Sequence, residues 1–245
     1  MGHLKRSQAP KFWPIKRKGL VWTVKTSPGP HRLQDSMPLQ ILVRDVLKVA
    51  DTAKEATSII KQGKIVIDKK PRKDPKFPVG LMDIIEIPEV KKNFVVSMGT
   101  SGLTLIEADQ SKTANKLCKI VGKTTIKNGL HQLHLHDGRN ILAESDQYRV
   151  GDSIAIALPD QTITDHLQFE EGSDVTIING KNRGLSGSVK KIVPRKTAVE
   201  KSKVIVDLGK KELETPKNYL MVTGKKGSSD KTEPLISEPK KKKGK

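Results

Sequence analysis

Leu39, Leu42, Val43 and Val46 recur at i, i+3, i+4 and i+7, the period of a helix with one buried face, and predict an amphipathic helix from Pro38 to about Val49. Arg44 and Lys48 fall on its opposite side. Thr52-Ala53-Lys54-Glu55 has the form of a capping box, in which the Thr oxygen accepts from the N–H three residues on and the Glu reaches back. It starts a second helix with Ala53, Ala56 and Ile60 as its apolar stripe, Lys54 and Lys61 on another side, and Gly63 as its left-handed stop. Beyond Gly63 the period falls to two. Residues 64–68 predict a short strand, 69–75 a turn-rich basic loop, and 83–87 a return strand. Further short β-like runs at 94–96, 103–106, 119–121, 133–136 and 153–156, parted by Gly-rich or Asp-Gly turns, predict a β-rich middle. From Gly172 to Val189 apolar residues alternate again, and Gly180, Gly184 and Gly187 allow positive φ and close backbone approach in a loop joining two strands.

Composition bounds what these elements can do. A chain of 245 residues suggests two or three compact units. Only 3% of residues are aromatic, so the core is expected to be aliphatic, and charge and backbone shape rather than bases stacked on rings are expected to carry recognition. Lys plus Arg number 46 against 27 Asp plus Glu, a net charge of +19, which makes a polyanion the natural partner. The excess is uneven: +7 for residues 1–36, +3 for 37–91, −1 for 92–170, +5 for 171–222 and +5 for 223–245. The termini and two modules are therefore expected to meet phosphate.

Residues 1–36 carry Lys5, Arg6, Lys16, Arg17 and Lys18 among four prolines that forbid a long helix, so they read as an extended basic arm, with Trp13 and Trp22 docking it on the body or a partner. Residues 223–245 lack apolar periodicity and read as a disordered basic tail. The single cysteine, Cys118, excludes an internal disulfide and fits a reducing compartment. The longest apolar run, Ile154 to Leu158, is far short of the roughly 20 residues a membrane span needs. Arg6 stands where a myristoylation signal wants Ser or Thr, and no export signal is expected.

The order helix, helix, strand, basic loop, strand over residues 37–91 resembles the small RNA-binding domain first recognised in bacterial ribosomal protein four. The likeness rests on Ala56 to Gly63, Lys64 to Asp68, and Asp74-Pro75 before the last strand. That domain has Gly in the tight turn after its first strand; Lys69-Lys70 here predicts a wider turn. The resemblance implies a groove for structured RNA lined by Arg44, Lys48, Lys54, Lys61, Lys64, Lys69, Lys70, Arg72 and Lys73. Singly, each could be an ordinary solvated side chain; as a set they form a basic face. The 172–189 run resembles a KOW motif, half of an SH3-like barrel, which implies that Lys181, Asn182 and Arg183 lie near phosphates; a KH loop is excluded because both flanks read as strands.

His131, His134 and His136 invite a metal reading, but no fourth ligand of suitable type stands nearby, so they are expected to be polar strand residues facing solvent or RNA. Lys112, Lys116, Lys123 and Lys127 read as ordinary charges of the neutral middle. Asp137-Gly138 is expected to turn a hairpin. Taken in order, His3-Leu4-Lys5-Arg6, Gly29-Pro30-His31, the RNA-binding domain, 116–120, 136–139 and the KOW run resemble the archaeal and eukaryotic type of small-subunit ribosomal protein four over nearly the full chain. That likeness implies an α+β multidomain fold: a small helix-helix-strand RNA-binding domain (37–91), a β-rich central domain (92–170), an SH3-like KOW barrel (171–222) and basic extended tails. It implies a structural constituent of the small ribosomal subunit, cytoplasmic, that clamps ribosomal RNA beside neighbouring ribosomal proteins. No enzyme activity, cofactor, metal, membrane or small-molecule substrate is expected. An RNA-modifying enzyme or a KOW-bearing transcription factor is the rival reading, although no P-loop, nucleophile elbow or metal-ligand cluster is present.

Overall fold

The computed structural model describes residues 3–225 apart from 110–112, 196, 198–199, 201 and 210; the expected tail beyond 225 lies outside the described residues. The chain is β-rich with few helices. Its basic arm folds back on itself: β1 (Leu4–Lys5) pairs antiparallel with β2 (Trp22–Thr23). Trp13 docks on the body, 2% exposed, its indole N–H donating to Ser36 O at 2.8 Å. Trp22 does not. It stays 55% exposed, with its ring centroid 5.4 Å from that of His3.

β3 (Ser36–Pro38) leads into α1 (Leu39–Ile41), which widens into a π-helical turn, Leu42–Val46. The expected helix to Val49 is thus cut short. Leu39, Ile41, Leu42 and Val43 are all buried, more than one helical stripe can hold, because the arm covers the side away from α2 (Ala53–Lys61), with Arg6 reaching Asp45 at 3.5 Å. The cap of α2 forms, Thr52 Oγ1 accepting from Glu55 N–H at 3.2 Å, but the Glu55 carboxylate reaches Asp51 N–H at 3.1 Å rather than that of Thr52.

β4 (Val66–Ile67), β5 (Lys70–Pro71), β7 (Ile84–Ile87), β8 (Lys92–Gly99) and β9 (Gly102–Glu107) form a sheet in the order β5-β4-β7-β8-β9, while β6 (Pro78–Gly80) pairs with β3. The sheet takes strands from both sides of position 91. A second antiparallel sheet, β12-β11-β10-β13-β14, is built from β10 (Asn115–Thr125), β11 (His131–Leu135), β12 (Asn140–Ala143), β13 (Ser153–Ala157) and β14 (Ile163–Leu167). A third has β15 (Asp174–Ile177), β16 (Ser186–Val193), β17 (Lys203–Asp207), β18 (Glu212–Pro216) and β19 (Leu220–Gly224) in the order β18-β17-β16-β15-β19. Its core of Val175, Val189, Val204 and Val222 also takes in Phe169, so it is not wholly aliphatic as expected, and it is joined by Leu117 of the second sheet and by Leu81 and Met82 from the loop between β6 and β7.

The β8–β9 hairpin tip is held from two sides. A Cβ on Gly102 would lie 2.0 Å from Phe12 O in the arm, and one on Gly184 would lie 2.4 Å from the carbonyl carbon of Gly99. Only residues without a side chain allow these approaches. Among the described residues no helix is long and apolar enough to cross a membrane.

Candidate nucleic-acid interface and the ionic junction beneath it

The basic residues expected at the interface divide by what they already hold. Lys48, Lys54, Lys61, Lys70 and Lys73 are exposed, and among the described residues none has an ion-pair partner. Lys54 and Lys61 stand on α2, and Lys73 lies beside its end, with Cε 3.6 Å from where a Gly63 Cβ would be. Lys64 pairs with Glu89 at 2.9 Å, Lys69 with Glu86, and half-buried Arg44 with Asp45 at 2.7 Å, so their charges are partly spent inside the protein. Arg72 carries its guanidinium 4.4 Å over the Phe77 ring. In the arm, Lys5, Lys16 and Lys18 are exposed. Arg6 is buried and donates to Lys16 O, and Arg17 donates to Ala9 O and Pro10 O at 2.7 Å, so both arginines brace the arm's backbone. Lys181 is exposed; Asn182 and Arg183 are half-buried, and Arg183 reaches Ser101 O at 3.4 Å.

The turn after β4 is tight, not wide. Asp68 and Lys69 both adopt positive φ, 50° and 62°, and form a two-residue hairpin turn between Ile67 and Lys70. Aspartate tolerates this region better than most residues, and here its side chain is anchored: Asp68 Oδ1 accepts from Ile84 N–H at 3.1 Å, and Oδ2 meets Lys116 Nζ and Arg139 Nη2, each at 2.7 Å.

Lys116, expected among the ordinary charges of the middle, is only 1% exposed and is the centre of a buried junction. Its ammonium also reaches Asp83 at 2.7 Å and Asp137 at 3.2 Å. His31 of the arm closes on Asp83 at 3.0 Å, and Arg139 Nε on Asp137 at 3.2 Å. Arm, first sheet and second sheet thus meet at one set of charges. Burial pushes the Asp83 carboxyl up, but Lys116 and His31 outweigh it and hold the group well below the usual carboxylate range. Asp137 is likewise depressed, its burial outweighed by Lys116, while Asp68 is raised by burial and by the charge of Asp83. Lys116 is held charged, because the carboxylates outweigh its burial.

His136 faces inward rather than toward solvent. Its Nε2–H donates to Leu81 O at 3.1 Å and its Nδ1 accepts from Lys119 N–H at 3.2 Å, which fixes a neutral ring; burial and the nearby Lys116 push its pKa down to about 4. His131 and His134 remain at the surface, bonded to Thr125 and Thr124 across the β10–β11 pair. Cys118, His136 and Asp137 cluster closely enough to suggest a metal centre. They do not fit one: both His136 nitrogens are used, and Lys116 already sits on the Asp137 carboxylate. Lys119, also buried, donates to Asn218 O at 2.8 Å and Leu220 O at 2.6 Å, tying β10 to the third sheet.

The junction could have been suspected from the sequence. Lys116 lies in phase with Cys118 and Ile120 on a strand, a charge at a core position. Such a charge needs buried carboxylate partners, and these come from residues remote in sequence.

Known proteins share this organisation. The family description "Ribosomal family S4e" matches residues 90–163, an RS4NT (NUC023) domain residues 2–34, and an S4 domain residues 37–85. A protein named small ribosomal subunit protein eS4 from Methanothermobacter thermautotrophicus is 45% identical over 91% of this chain and 92% of its own. The chain belongs to the eS4 family. Another eS4 relative, from Korarchaeum cryptofilum, is 48% identical over 78% of this chain and 81% of its own. The crystal structure of the 30S ribosomal protein S4e from Thermoplasma acidophilum covers 78% of this chain and 96% of its own with a TM-score of 0.69 at 27% identity. The family is the small-subunit ribosomal protein family that the sequence resembles, and the S4 match falls on the α2 lysines and the Asp68–Lys69 turn.

Proposed function

We propose that this eS4 chain clamps structured ribosomal RNA in the small subunit, beside neighbouring ribosomal proteins, through the face formed by α2 and the loop after the Asp68–Lys69 turn. The observation that carries this is the group of exposed lysines, Lys54, Lys61, Lys70 and Lys73, that have no ion-pair partner among the described residues, on the domain that matches S4. Exposed cations without protein partners are free to displace condensed counterions from phosphate. Lys48, Lys5, Lys16, Lys18 and Lys181 extend the same capacity, whereas Arg6 and Arg17 contribute by shaping the arm. We read the third sheet as the KOW module of an SH3-like barrel, because its last strand returns to pair with its first. We read the units as 1–36, 37–91, 92–170, 171–222 and 223–245, although the first sheet continues past 91 through β8 and β9 and β19 runs past 222 to Gly224. No turnover of RNA or nucleotides is expected, and the place of action is the cytoplasmic small subunit.

Filter retention of a small-subunit rRNA transcript by the full chain tests this. Affinity should fall with salt by a log–log slope of about −0.7 to −0.9 for each phosphate neutralised. Charge reversal at Lys54, Lys61, Lys70 and Lys73 should weaken retention at least about tenfold, while four reversals at scattered exposed sites, Lys92, Lys127, Lys203 and Lys225, should stay within about threefold, since charges beyond a Debye length are screened. Equal effects would show that only total charge matters.

A further inference from the structure

Above the ionic junction lies a cavity of about 450 Å³ between the arm, the Lys70–Arg72 segment and the β11–β12 and β13–β14 turns. That volume is in the range of sites that hold small organic ligands. Its floor is buried and electrically settled: Asp68, Asp83 and Asp137 face Lys116 and Arg139. Its rim is not. Lys70 is exposed, and among the described residues neither Lys70 nor Arg72 has an ion-pair partner. The Nε of Arg72 is buried and, among the described residues, without a hydrogen-bond partner, while the guanidinium carbon stands 4.4 Å from the centre of the Phe77 ring. Arg139 spends Nε and Nη2 on carboxylates, which leaves Nη1 outside both pairs. Gln161, at φ 62°, also lines the cavity. A left-handed glutamine is a strained choice, of a kind found at sites where position matters.

An anion belongs at such a rim and not on such a floor, where the carboxylates already occupy the cations. A flat π-face belongs beside the Arg72–Phe77 pair, because guanidinium groups and aromatic rings are the surfaces on which unstacked bases settle. A ligand with both parts, a planar base joined to a phosphate, is a nucleotide. We propose that this cavity receives one extruded nucleotide of ribosomal RNA, its base in contact with both the Arg72 guanidinium and the Phe77 ring and its phosphate held at the rim by Lys70 and Arg139. This rests on the reading of the chain as an RNA clamp and adds to it a site beside the α2 face, made jointly by the arm and the first and second sheets. The clamp would then grip a duplex by charge and fix its register by one nucleotide.

Ultraviolet cross-linking of the unmodified full-length chain to a small-subunit rRNA transcript, with mass spectrometry of the adducts, tests the site. An adduct on Phe77 that maps to a single nucleotide is expected. Arg72→Lys keeps the charge and loses the plane, and should lower that adduct about tenfold, the scale of one lost stacking contact, while adducts on α2 and the arm stay within about twofold. Adducts on α2 or the arm without one on Phe77 would overturn the cavity proposal and leave the clamp standing. A Phe77 adduct spread over many nucleotides, or unchanged in Arg72→Lys, would also overturn it. Loss of all retention by the unaltered chain would instead overturn the clamp reading itself.

Discussion

Lys116 Nζ lies 2.7 Å from Asp68 Oδ2, joining the start of β10 to a turn 48 residues earlier in the chain. With Asp83 and Asp137 also within 3.2 Å, one ammonium group holds three buried carboxylates. Such an arrangement is costly to assemble and costlier to break, since a carboxylate deprived of its partner stays buried.

Removing that partner is therefore expected to destabilise the protein severely. Lys116→Met should cost about 3–5 kcal/mol, the range for stripping one member from a buried ion pair. Lys127→Met, at an exposed site, should stay within about 0.5 kcal/mol. Urea unfolding of the two variants decides; near-equal midpoints would show that the junction contributes no net stability.

Acid should loosen the same region. A ring with pKa about 4 in the folded chain and about 6.5 when unfolded binds fewer protons folded than unfolded between these values, so stability falls as pH drops through that window, by at most about 1.4 kcal/mol per unit. The depressed carboxyls of Asp83 and Asp137 add a loss below their unfolded value of about 3.8 as pH falls through their folded values, while the raised Asp68 works in the opposite sense. The urea midpoint should decline from pH 6.5 to 4.5, and His136→Gln should flatten that decline. An unchanged slope in the variant would assign the decline to other groups.

Lys119 makes a different link. Burial and Lys217 push its pKa down to about 8, yet its ammonium satisfies two carbonyls beside β19. Lys119→Met should leave those carbonyls unpaired at a cost of about 1–3 kcal/mol and speed hydrogen exchange in β19 ahead of β11. Uniform acceleration of both strands would mean that the effect is not local to this tie.

The arm has a built-in reporter. Trp13 is buried and Trp22 exposed, so acrylamide should quench about half of the tryptophan emission readily and the rest poorly. Gly102→Ala puts a methyl group against Phe12 O, where the Leu103 N–H now donates at 3.2 Å. That variant should render both tryptophans accessible and the arm sensitive to trypsin. Continued protection of Trp13 would show that its own burial suffices to anchor the arm.

Local chemistry was legible from the start: the α2 cap, the strands of the middle and the Asp137-Gly138 turn all follow from residues within a few positions of one another. The π-turn after α1 was not, because its shape answers to an arm that packs from more than 30 residues away. The tight turn at Asp68–Lys69 was missed for a related reason. Its strained backbone is held by Lys116 and Arg139, which no window around position 68 contains. The basic face could be read as a set, but which members are free depended on Glu86, Glu89 and Asp45, whose positions only the fold fixes.

The contact between Phe12 and Leu103 also sets a clock. About 90 residues separate the arm from the hairpin tip that anchors it, and at about 5–20 residues per second their synthesis takes roughly 5–18 s. During that interval the arm can already reach Ser36 and Asp45, but the hairpin tip that holds Phe12 is still missing. The arm therefore closes in two stages, first onto the segment just after it and only later onto the β8–β9 hairpin.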